Sequence, residues 1–228
     1  MLGASRALPK LRGAILDFDD TIVNSRSRIL PVMVEVLADL GFSIRPSEIA
    51  TRWGEPLELV VKGAAPAVDF AEFKRRYLRR LAEVPPTELP GARRFLEELA
   101  AHAVTTLVVS SGSKDAIESD LRDLELTALV RRVWGYEDSG YAKPDARILA
   151  EPLALLADLG VGLGEILSVG DSLDDFRISR AHNILFVAVV TGTTSSAEFT
   201  AAGMVAELVV RGLDELFTGG LLQRYFAM

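Results

Sequence analysis

Carboxylates, hydroxyls and one ammonium group stand in four separate segments of this sequence, and three of these segments directly follow an apolar run. The segments are Asp17-Phe18-Asp19-Asp20-Thr21, Ser110-Ser111-Gly112, Lys143-Pro144 and Gly170-Asp171-Ser172-Leu173-Asp174-Asp175. Each of them alone is also common as a turn or a helix cap, because Asp and Ser readily accept backbone N–H groups there. Their joint occurrence in this order indicates a functional site.

An all-oxygen set of side chains predicts both the ion and the reaction. Several carboxylates packed together repel one another unless a cation joins them, and a set without His or Cys favours a hard ion, Mg²⁺ before Zn²⁺. Phosphate oxygens would complete the coordination of such an ion. A lysine, a hydroxyl and glycine-loop amides would then offset the charge on a transferring phosphoryl group. The sequence therefore predicts magnesium-dependent phosphoryl transfer.

Five apolar runs predict the strands that must carry these residues, namely GAILDFD, VTTLVVSSG, EILSVGD, NILFVAVVTG and AELVVRG. Their alternation with helical stretches is typical of a parallel sheet covered by helices on both faces. We expect helices over residues 114–124, 146–159, 175–182, 195–202 and 213–217, with the second bent or interrupted at Pro152. Ligands of an open parallel sheet bind beyond the carboxyl ends of its strands, where three of the four segments would lie.

The interval from residue 24 to 88 breaks this alternation, since it shows helical patterns and no persuasive strand. It ends in the proline-rich stretch VPPTELPG, which restarts the chain in an extended form. We therefore predict a doubly wound, Rossmann-like α/β core with a mostly parallel sheet over residues 1–23 and 89–228, and an inserted α-helical cap domain over 24–88. The arginine-rich stretch KRRYLRR at 74–80 is expected to be the solvated face of a cap helix.

Composition restricts the partners of the chain. Its 25 Lys and Arg against 32 Asp and Glu give a net charge of -7, which argues against nucleic acid and anionic membranes as partners. The absence of cysteine excludes disulfides, thiolate zinc sites and cysteine nucleophiles. No signal-peptide pattern and no apolar run of about 18 residues occurs, so we expect a cytoplasmic protein. Its oligomeric state is not encoded in these motifs, and we expect a monomer or homodimer.

Taken together, the four segments resemble the haloacid dehalogenase-like hydrolase superfamily, whose pattern is DxDxT, a strand ending in Ser or Thr, a Lys, and GDxxxD. The resemblance covers nearly the whole chain. It implies that Asp17 is the nucleophile that forms an aspartyl-phosphate, and that Asp19 protonates the leaving oxygen and later activates water. Alternate residues of an extended segment emerge on the same side, which would let both carboxylates face one phosphorus atom.

The same resemblance implies how the phosphate is held. Ser110 and the backbone amides of Ser111 and Gly112 would bind the phosphate oxygens. Lys143 would pair with both the phosphate and the nucleophile.

The resemblance also implies a magnesium site. Asp171 would bind Mg²⁺ together with the Asp17 carboxylate and the backbone carbonyl of Asp19. Asp175 matches the last Asp of GDxxxD and would contact residues of the site rather than the ion itself. Thr21 would support the loop rather than react.

The position and helical content of the insertion resemble the cap of the phosphoglycolate phosphatase-like branch. Such a cap closes over the site, excludes bulk water and contacts the leaving group. Arg52, Trp53 and Gly54, in the break between two predicted cap helices, are candidates for substrate specificity, although a Trp at such a position is also typical of packing.

Other functions stay open at this stage. A phosphomutase would transfer the same phosphoryl group to a second substrate hydroxyl, and a phosphonate hydrolase would need a cap lysine, for which Lys62 or Lys74 could serve. A haloacid dehalogenase would carry a non-acidic residue where Asp19 stands, and a non-catalytic phosphoprotein-like binding module would not need every charged motif position intact. We expect a phosphatase that hydrolyses a small phosphorylated metabolite.

Overall fold

Six parallel strands form one sheet in the computed structural model, which describes residues 10–218. The strands are β1 (Gly13–Leu16), β2 (Thr105–Val109), β3 (Arg132–Trp134), β4 (Ile166–Gly170), β5 (Leu185–Val189) and β6 (Val209–Val210). Their order is β3-β2-β1-β4-β5-β6, and every neighbouring pair is parallel. This is the strand order of the doubly wound α/β fold, so the predicted fold class is confirmed.

Eleven α-helices accompany the sheet within the described range. They are α1 (Ser25–Asp39), α2 (Pro46–Ala50), α3 (Leu57–Ala64), α4 (Phe70–Leu81), α5 (Ala92–Ala101), α6 (Lys114–Asp123), α7 (Tyr136–Ser139), α8 (Ala150–Asp158), α9 (Leu173–Ala181), α10 (Ser196–Ala201) and α11 (Glu215–Thr218). Between residues 10 and 218, none of these helices combines the length and the apolar character that crossing a bilayer requires.

Both faces of β1 are buried, because side chains alternate along a strand. Ala14 and Leu16 belong to one apolar cluster, which also contains Phe95 of α5. Ile15 points to the other face and belongs to a second cluster, which contains Ile178 of α9. Helices thus cover the sheet on both sides, and the strand that ends at the candidate nucleophile lies in its middle.

Helices α1 to α4 have an apolar cluster of their own, which is separate from the clusters on the sheet. We call residues 24–88, with these helices, the helical insertion. Its two connections to the sheet run side by side: Asn24 N donates to Thr87 O at 2.9 Å, Leu89 N donates to Ile22 O at 2.9 Å, and Val23 forms an antiparallel bridge with Glu88. The two connections therefore form one paired stem.

Several predicted elements differ in detail from the structure. Strand β3 was not expected, because three residues at the end of the sheet order give too short a pattern to recognise. The single helix expected over 146–159 is a 3₁₀ turn (Ala146–Leu149) followed by α8. Pro152 is the third residue of α8, where its missing N–H has no helical partner to lose, so it does not interrupt that helix.

Candidate active site

The carboxyl ends of β1 and β4 lie side by side, and each is followed by an aspartate. Asp17 continues β1 and its N–H donates to Val169 O of β4 at 2.9 Å, while Asp171 follows β4 directly. The two carboxylates are 7% and 6% exposed. Strand β1 lies between β2 and β4, where the strand order changes direction, so this is the point of a doubly wound sheet where a ligand can enter between the loops.

Asp17 is held from two directions. The ammonium group of Lys143, in the loop after β3, contacts Asp17 Oδ1, and Thr21 Oγ1 donates to Asp17 Oδ2 at 3.0 Å. The same ammonium lies 2.6 Å from Asp175 Oδ1, and the Asp175 carboxylate also accepts from Ser172 Oγ at 2.5 Å. Asp175 therefore orients the lysine that contacts Asp17, and Thr21 supports Asp17 itself.

The segment after β2 meets Asp19. Ser110 Oγ donates to Asp19 Oδ2 at 3.2 Å and accepts the N–H of Gly112 at 2.9 Å. Ser111 Oγ accepts the backbone N–H of Lys143 at 3.2 Å, so this hydroxyl positions the lysine. The amide of Gly112 is thus engaged within its own turn, and it would have to turn outward to donate to a phosphate oxygen.

Burial dominates the electrostatics of this cluster. Burial, together with the neighbouring carboxylates of Asp175 and Asp19, raises the pKa of Asp17 to about 7, against the opposing influence of Lys143. Burial and the charge of Asp17 raise the pKa of Asp171 to about 9. Burial alone would lower the pKa of Lys143, but the Asp17 and Asp175 carboxylates reverse this and raise it. Lys143 therefore stays charged, and Asp171 has no ion pair in the part of the chain that the structure describes.

A divalent cation suits these carboxylates. Oxygen atoms of Asp17, Asp171 and Asp175 lie within 4.8 Å of one another, and all three residues are buried. Carboxylate oxygens are the ligands that Mg²⁺ prefers, and a cation would remove the cost of ionising Asp171 in this setting. Asp17 and Asp175 share the ammonium of Lys143, whereas Asp171 forms no ion pair within residues 10–218, so Asp171 is the carboxylate that most needs a cation.

Gly192, in the loop after β5, is a site residue that the motifs did not reveal. A Cβ atom built on Gly192 would overlap the carboxylate of Asp171. The backbone of this loop therefore packs directly against Asp171, and only glycine leaves room for that carboxylate. No sequence signal marked the position, because the contact joins two loops that are distant along the chain.

Asp20 connects the segment 17–21 after β1 with the helical insertion. It adopts a left-handed backbone conformation (φ 56°), is 2% exposed, and its Oδ1 accepts the N–H of Arg26 at 2.9 Å. Burial raises the pKa of Asp20 to about 6, and Arg26 and the side chain of Trp53 act in the opposite direction. Trp53 thus influences Asp20, although Asp20 Oδ2 is buried and has no hydrogen-bond partner within residues 10–218.

The neighbouring candidates point elsewhere. Arg52 Nη2 pairs with Glu55 at 2.7 Å, and its guanidinium lies against Gly63 of α3, so its described contacts stay within the insertion. Gly54 has φ 95° and forms the turn after Trp53. Of the three residues, Trp53 alone influences the pKa of a residue in the segment 17–21, namely Asp20.

A second contact between the insertion and the core was not expected from the sequence. Arg28 of α1 pairs with Asp120 of α6 at 2.6 Å, and both side chains are largely buried. Its guanidinium also donates to Val84 O at 2.7 Å and Leu81 O at 3.5 Å, at the end of α4. The stretch at 74–80 was predicted to be the solvated face of a cap helix. This prediction is wrong for Tyr77, which is only 6% exposed.

Comparison with known proteins adds independent information. The model of one family, described as haloacid dehalogenase-like hydrolase, matches residues 14–189. A phosphoglycolate phosphatase of Rhodospirillum rubrum is 27% identical over 196 residues, which cover 79% of this chain and 80% of that protein. A provisionally named pyrophosphatase, PpaX, of Caldanaerobacter subterraneus subsp. tengcongensis is 26% identical over 187 residues, which cover 79% and 82%.

Solved structures share the fold. One from Haemophilus somnus 129PT, described as a predicted phosphoglycolate phosphatase, has a TM-score of 0.79 at 18% identity and covers 91% of this chain and 97% of that one. The β-phosphoglucomutase of Clostridium difficile has a TM-score of 0.74 at 15% identity, with 95% and 97% covered. At these identities the likeness concerns the fold.

Proposed function

Because this chain belongs to the haloacid dehalogenase-like hydrolases and is a phosphatase of that family, we propose that it hydrolyses a small phosphorylated metabolite through a phosphoryl group carried on Asp17. One observation carries the proposal: Asp17 and Asp19 stand on one segment but are held by different partners. Asp17 is bound by Lys143 and Thr21, whereas Asp19 meets the hydroxyl of Ser110. Two carboxyl groups with different surroundings can take different roles.

In the first step, an oxygen of the Asp17 carboxylate attacks phosphorus, and the bond between phosphorus and the ester oxygen breaks. Asp19 gives a proton to that oxygen, which leaves as an alcohol. Lys143 offsets negative charge on the nucleophile and on the transferring group. Ser110, whose hydroxyl lies at the end of β2, binds a phosphoryl oxygen next to Asp19.

In the second step, water attacks the phosphorus of the aspartyl-phosphate. Asp19, now ionised, takes a proton from this water, and the bond between phosphorus and the Asp17 oxygen breaks to release inorganic phosphate. The same residue thus serves first as acid and then as base, and the enzyme returns to its starting protonation.

Mg²⁺ would be held by the carboxylates of Asp17 and Asp171 and by the backbone carbonyl of Asp19. When bound, it supplies positive charge to phosphoryl oxygens and keeps buried Asp17 and Asp171 ionised. Gly192 leaves the space that the Asp171 carboxylate occupies.

The helical insertion acts as a cap over this site, with core residues 1–23 and 89–228 on either side of it in sequence. The paired stem at Val23 and Glu88 is the place about which the cap would move, and the ion pair of Arg28 with Asp120 holds the cap against the core. A docked cap would exclude bulk water during transfer from Asp17.

The lysines considered for a phosphonate hydrolase do not favour that activity. The ammonium of Lys62 donates to Val68 O at 2.6 Å within the insertion, and Lys74 is exposed. A phosphomutase remains the second candidate, and it is distinguished by its product rather than by the motif residues.

The test is phosphate release from a panel of phosphoglycolate, sugar phosphates, nucleoside monophosphates and phosphonoacetaldehyde, with Mg²⁺ or with EDTA. We expect one preferred monoester, no activity in EDTA, and no turnover by Asp17→Asn. The matched control is Asp174→Asn, since Asp174 is a nearby aspartate that pairs at the surface with Arg177 at 2.7 Å. Full activity of correctly folded Asp17→Asn would refute the proposal, and isomerised substrate without phosphate release would identify a mutase.

A further inference from the structure

Asp20 has a backbone conformation that a residue other than glycine seldom adopts without support. Its φ is 56°, in the left-handed region, and the residue is 2% exposed. Such a conformation persists where the surrounding contacts determine it. The contacts of Asp20 therefore show which parts of the molecule meet at this position.

The peptide group between Asp19 and Asp20 is held in one orientation. The N–H of Asp20 donates to Val23 O at 2.8 Å, and Asp19 forms a bridge with Val23. Because a peptide group is planar and trans, its carbonyl points opposite to its N–H. The same hydrogen bond thus fixes the direction of the Asp19 carbonyl, which the proposed function assigns to Mg²⁺.

Thr191, in the loop after β5, holds the next carbonyl of this segment. Its Oγ1 donates to Asp20 O at 2.5 Å, although 171 residues separate the two positions along the chain. The following residue is Gly192, whose backbone lies so close to the Asp171 carboxylate that a Cβ atom would overlap it. Thr191 therefore joins the segment 17–21 to the loop that borders Asp171.

Arg26, in the first turn of α1, forms a second link between the same two loops. Its backbone N–H donates to Asp20 Oδ1 at 2.9 Å, and its Nη2 donates to Gly192 O at 3.3 Å. Its Nε lies 3.8 Å from Asp20 Oδ2. Two separate contacts thus join Asp20 to residues 191–192, and one of them comes from the start of the helical insertion.

We propose that Thr191 is a positioning residue for Mg²⁺. Its hydrogen bond to Asp20 O fixes the segment 17–21 against the loop that borders Asp171, so that ligands from the two sides keep the spacing that the ion requires. The inference rests on the proposed function, which takes the Asp19 carbonyl and the Asp171 carboxylate as ligands.

The choice of ion distinguishes positioning from a general loosening of the loop. Mg²⁺ demands a near-ideal octahedron with short bonds, so it tolerates little displacement of a ligand, whereas Ca²⁺ accepts a flexible coordination sphere. Loss of the Thr191 hydroxyl should therefore weaken Mg²⁺ binding more than Ca²⁺ binding.

The experiment titrates substrate-free protein with MgCl₂ or CaCl₂ and takes the apparent affinity from the rise in Tm. Thr191→Val removes the hydroxyl and keeps the shape of the side chain, whereas Thr191→Ser retains the hydroxyl. Thr200→Val is the matched control, because Thr200 Oγ1 also donates to a backbone carbonyl, that of Ser196 in α10, at 2.9 Å. Asp171→Asn tests the metal assignment itself, and circular dichroism verifies that each variant is folded.

We expect Thr191→Val to lower the affinity for Mg²⁺ by about 10-fold or more, the usual effect of losing the support behind a ligand. Since Arg26 still joins Asp20 to Gly192, Mg²⁺ binding should be weakened rather than lost. The affinity for Ca²⁺ should fall by less than about threefold, because that ion adapts to displaced ligands. Thr191→Ser should bind Mg²⁺ nearly as tightly as the wild type, and Thr200→Val should bind both ions as the wild type does.

An unchanged Mg²⁺ affinity of Thr191→Val, with binding lost in Asp171→Asn, would overturn the inference and leave the proposed function intact. Equal losses for Mg²⁺ and Ca²⁺ in Thr191→Val, not repaired in Thr191→Ser, would overturn it in favour of a general loosening of the loop. Undiminished Mg²⁺ binding by Asp171→Asn would overturn the metal assignment, and this inference with it. Thr191→Ala replaces Thr191→Val if the latter does not fold, and the same results decide.

Discussion

The ammonium group of Lys143 contacts the carboxylate of Asp17 although 126 residues separate them along the chain. The loop after β3 carries the lysine, and the end of the central strand β1 carries the aspartate. The lysine side chain is 11% exposed and the aspartate side chain 7%, and Asp175 lies 2.6 Å from the same ammonium. One cation therefore serves two buried carboxylates, and several consequences can be measured.

Replacing the lysine should disable the site. Lys143→Met keeps much of the side-chain volume and removes the charge, so we expect kcat to fall by about 100-fold or more, as when a charge-stabilising donor is lost. Lys114→Met is the matched control, because Lys114 pairs with Asp138 at 2.9 Å away from the nucleophile. Steady-state kinetics on the preferred monoester measure kcat for both variants. Equal kcat values would show that the mechanism does not need Lys143.

Adding one methyl group at Gly192 should weaken Mg²⁺ binding. The Cβ of Gly192→Ala would overlap the Asp171 carboxylate, which must move. We expect the Mg²⁺ concentration for half-maximal activity to rise by about 10- to 100-fold, the usual effect of disturbing the support of a ligand. In Gly164→Ala the new atom has no neighbour within 4 Å, so that variant should titrate like the wild type. An unshifted titration of Gly192→Ala would argue against Asp171 as a ligand.

Metal removal should make stability depend on pH. Without a cation, folding raises the pKa of Asp17 from 3.8 to about 7 and that of Asp171 from 3.8 to about 9, mainly by burial. The folded state then holds more protons on these two groups than the unfolded state, so their contribution to stability is greatest below pH 3.8 and falls as pH rises toward 7 and 9. Mg²⁺ binds the ionised carboxylates. The increase in Tm that it causes should therefore grow as pH rises from 3.8 to about 9.

Thermal unfolding in EDTA and in excess Mg²⁺, at several pH values between about 5 and 9, measures this effect. Asp171→Asn provides the control, because the amide does not titrate and should flatten the metal-free curve relative to the wild type. An increase in Tm that is the same at every pH would contradict the assignment.

The pair between Arg28 and Asp120 should contribute strongly to stability. Arg28→Met leaves Asp120 buried without its partner, and burial already raises the pKa of that carboxyl. We expect the free energy of unfolding to drop by about 3–5 kcal/mol, the usual effect of breaking a buried pair. The exposed pair of Arg45 with Glu48 is the control, and Arg45→Met should change stability little.

Urea denaturation gives these free energies. The double variant Arg28→Met/Asp120→Leu should recover much of the loss, because it removes the unpaired charge as well. A single variant Arg28→Met as stable as Arg45→Met would show that the pair does not hold the insertion to the core.

The sequence was sufficient to predict the residues that lie at the ends of strands. Asp17, Ser110 and Asp171 each follow a recognisable apolar run, and the edge of a parallel sheet must bring such positions together. The helical insertion was equally visible, because its helical spacing lasts from residue 24 to 88.

Contacts between elements distant in sequence could not be predicted. The fit of Gly192 against Asp171 and the pairing of Arg28 with Asp120 depend on how loops and helices meet in space, and no local pattern encodes them. Tyr77 was hidden for another reason: four arginines and a lysine surround it in KRRYLRR, so the stretch reads as solvated although one of its residues faces inward.

The central claim is that Asp17 carries the phosphoryl group, and rapid acid quench during turnover followed by peptide mass spectrometry tests it most directly. With the preferred monoester and Mg²⁺, we predict a phosphorylated peptide containing residue 17 that forms before phosphate is released and is absent in Asp17→Asn. Turnover by the wild type with no phosphorylated peptide at any quench time, or with phosphate on another residue, would contradict the account.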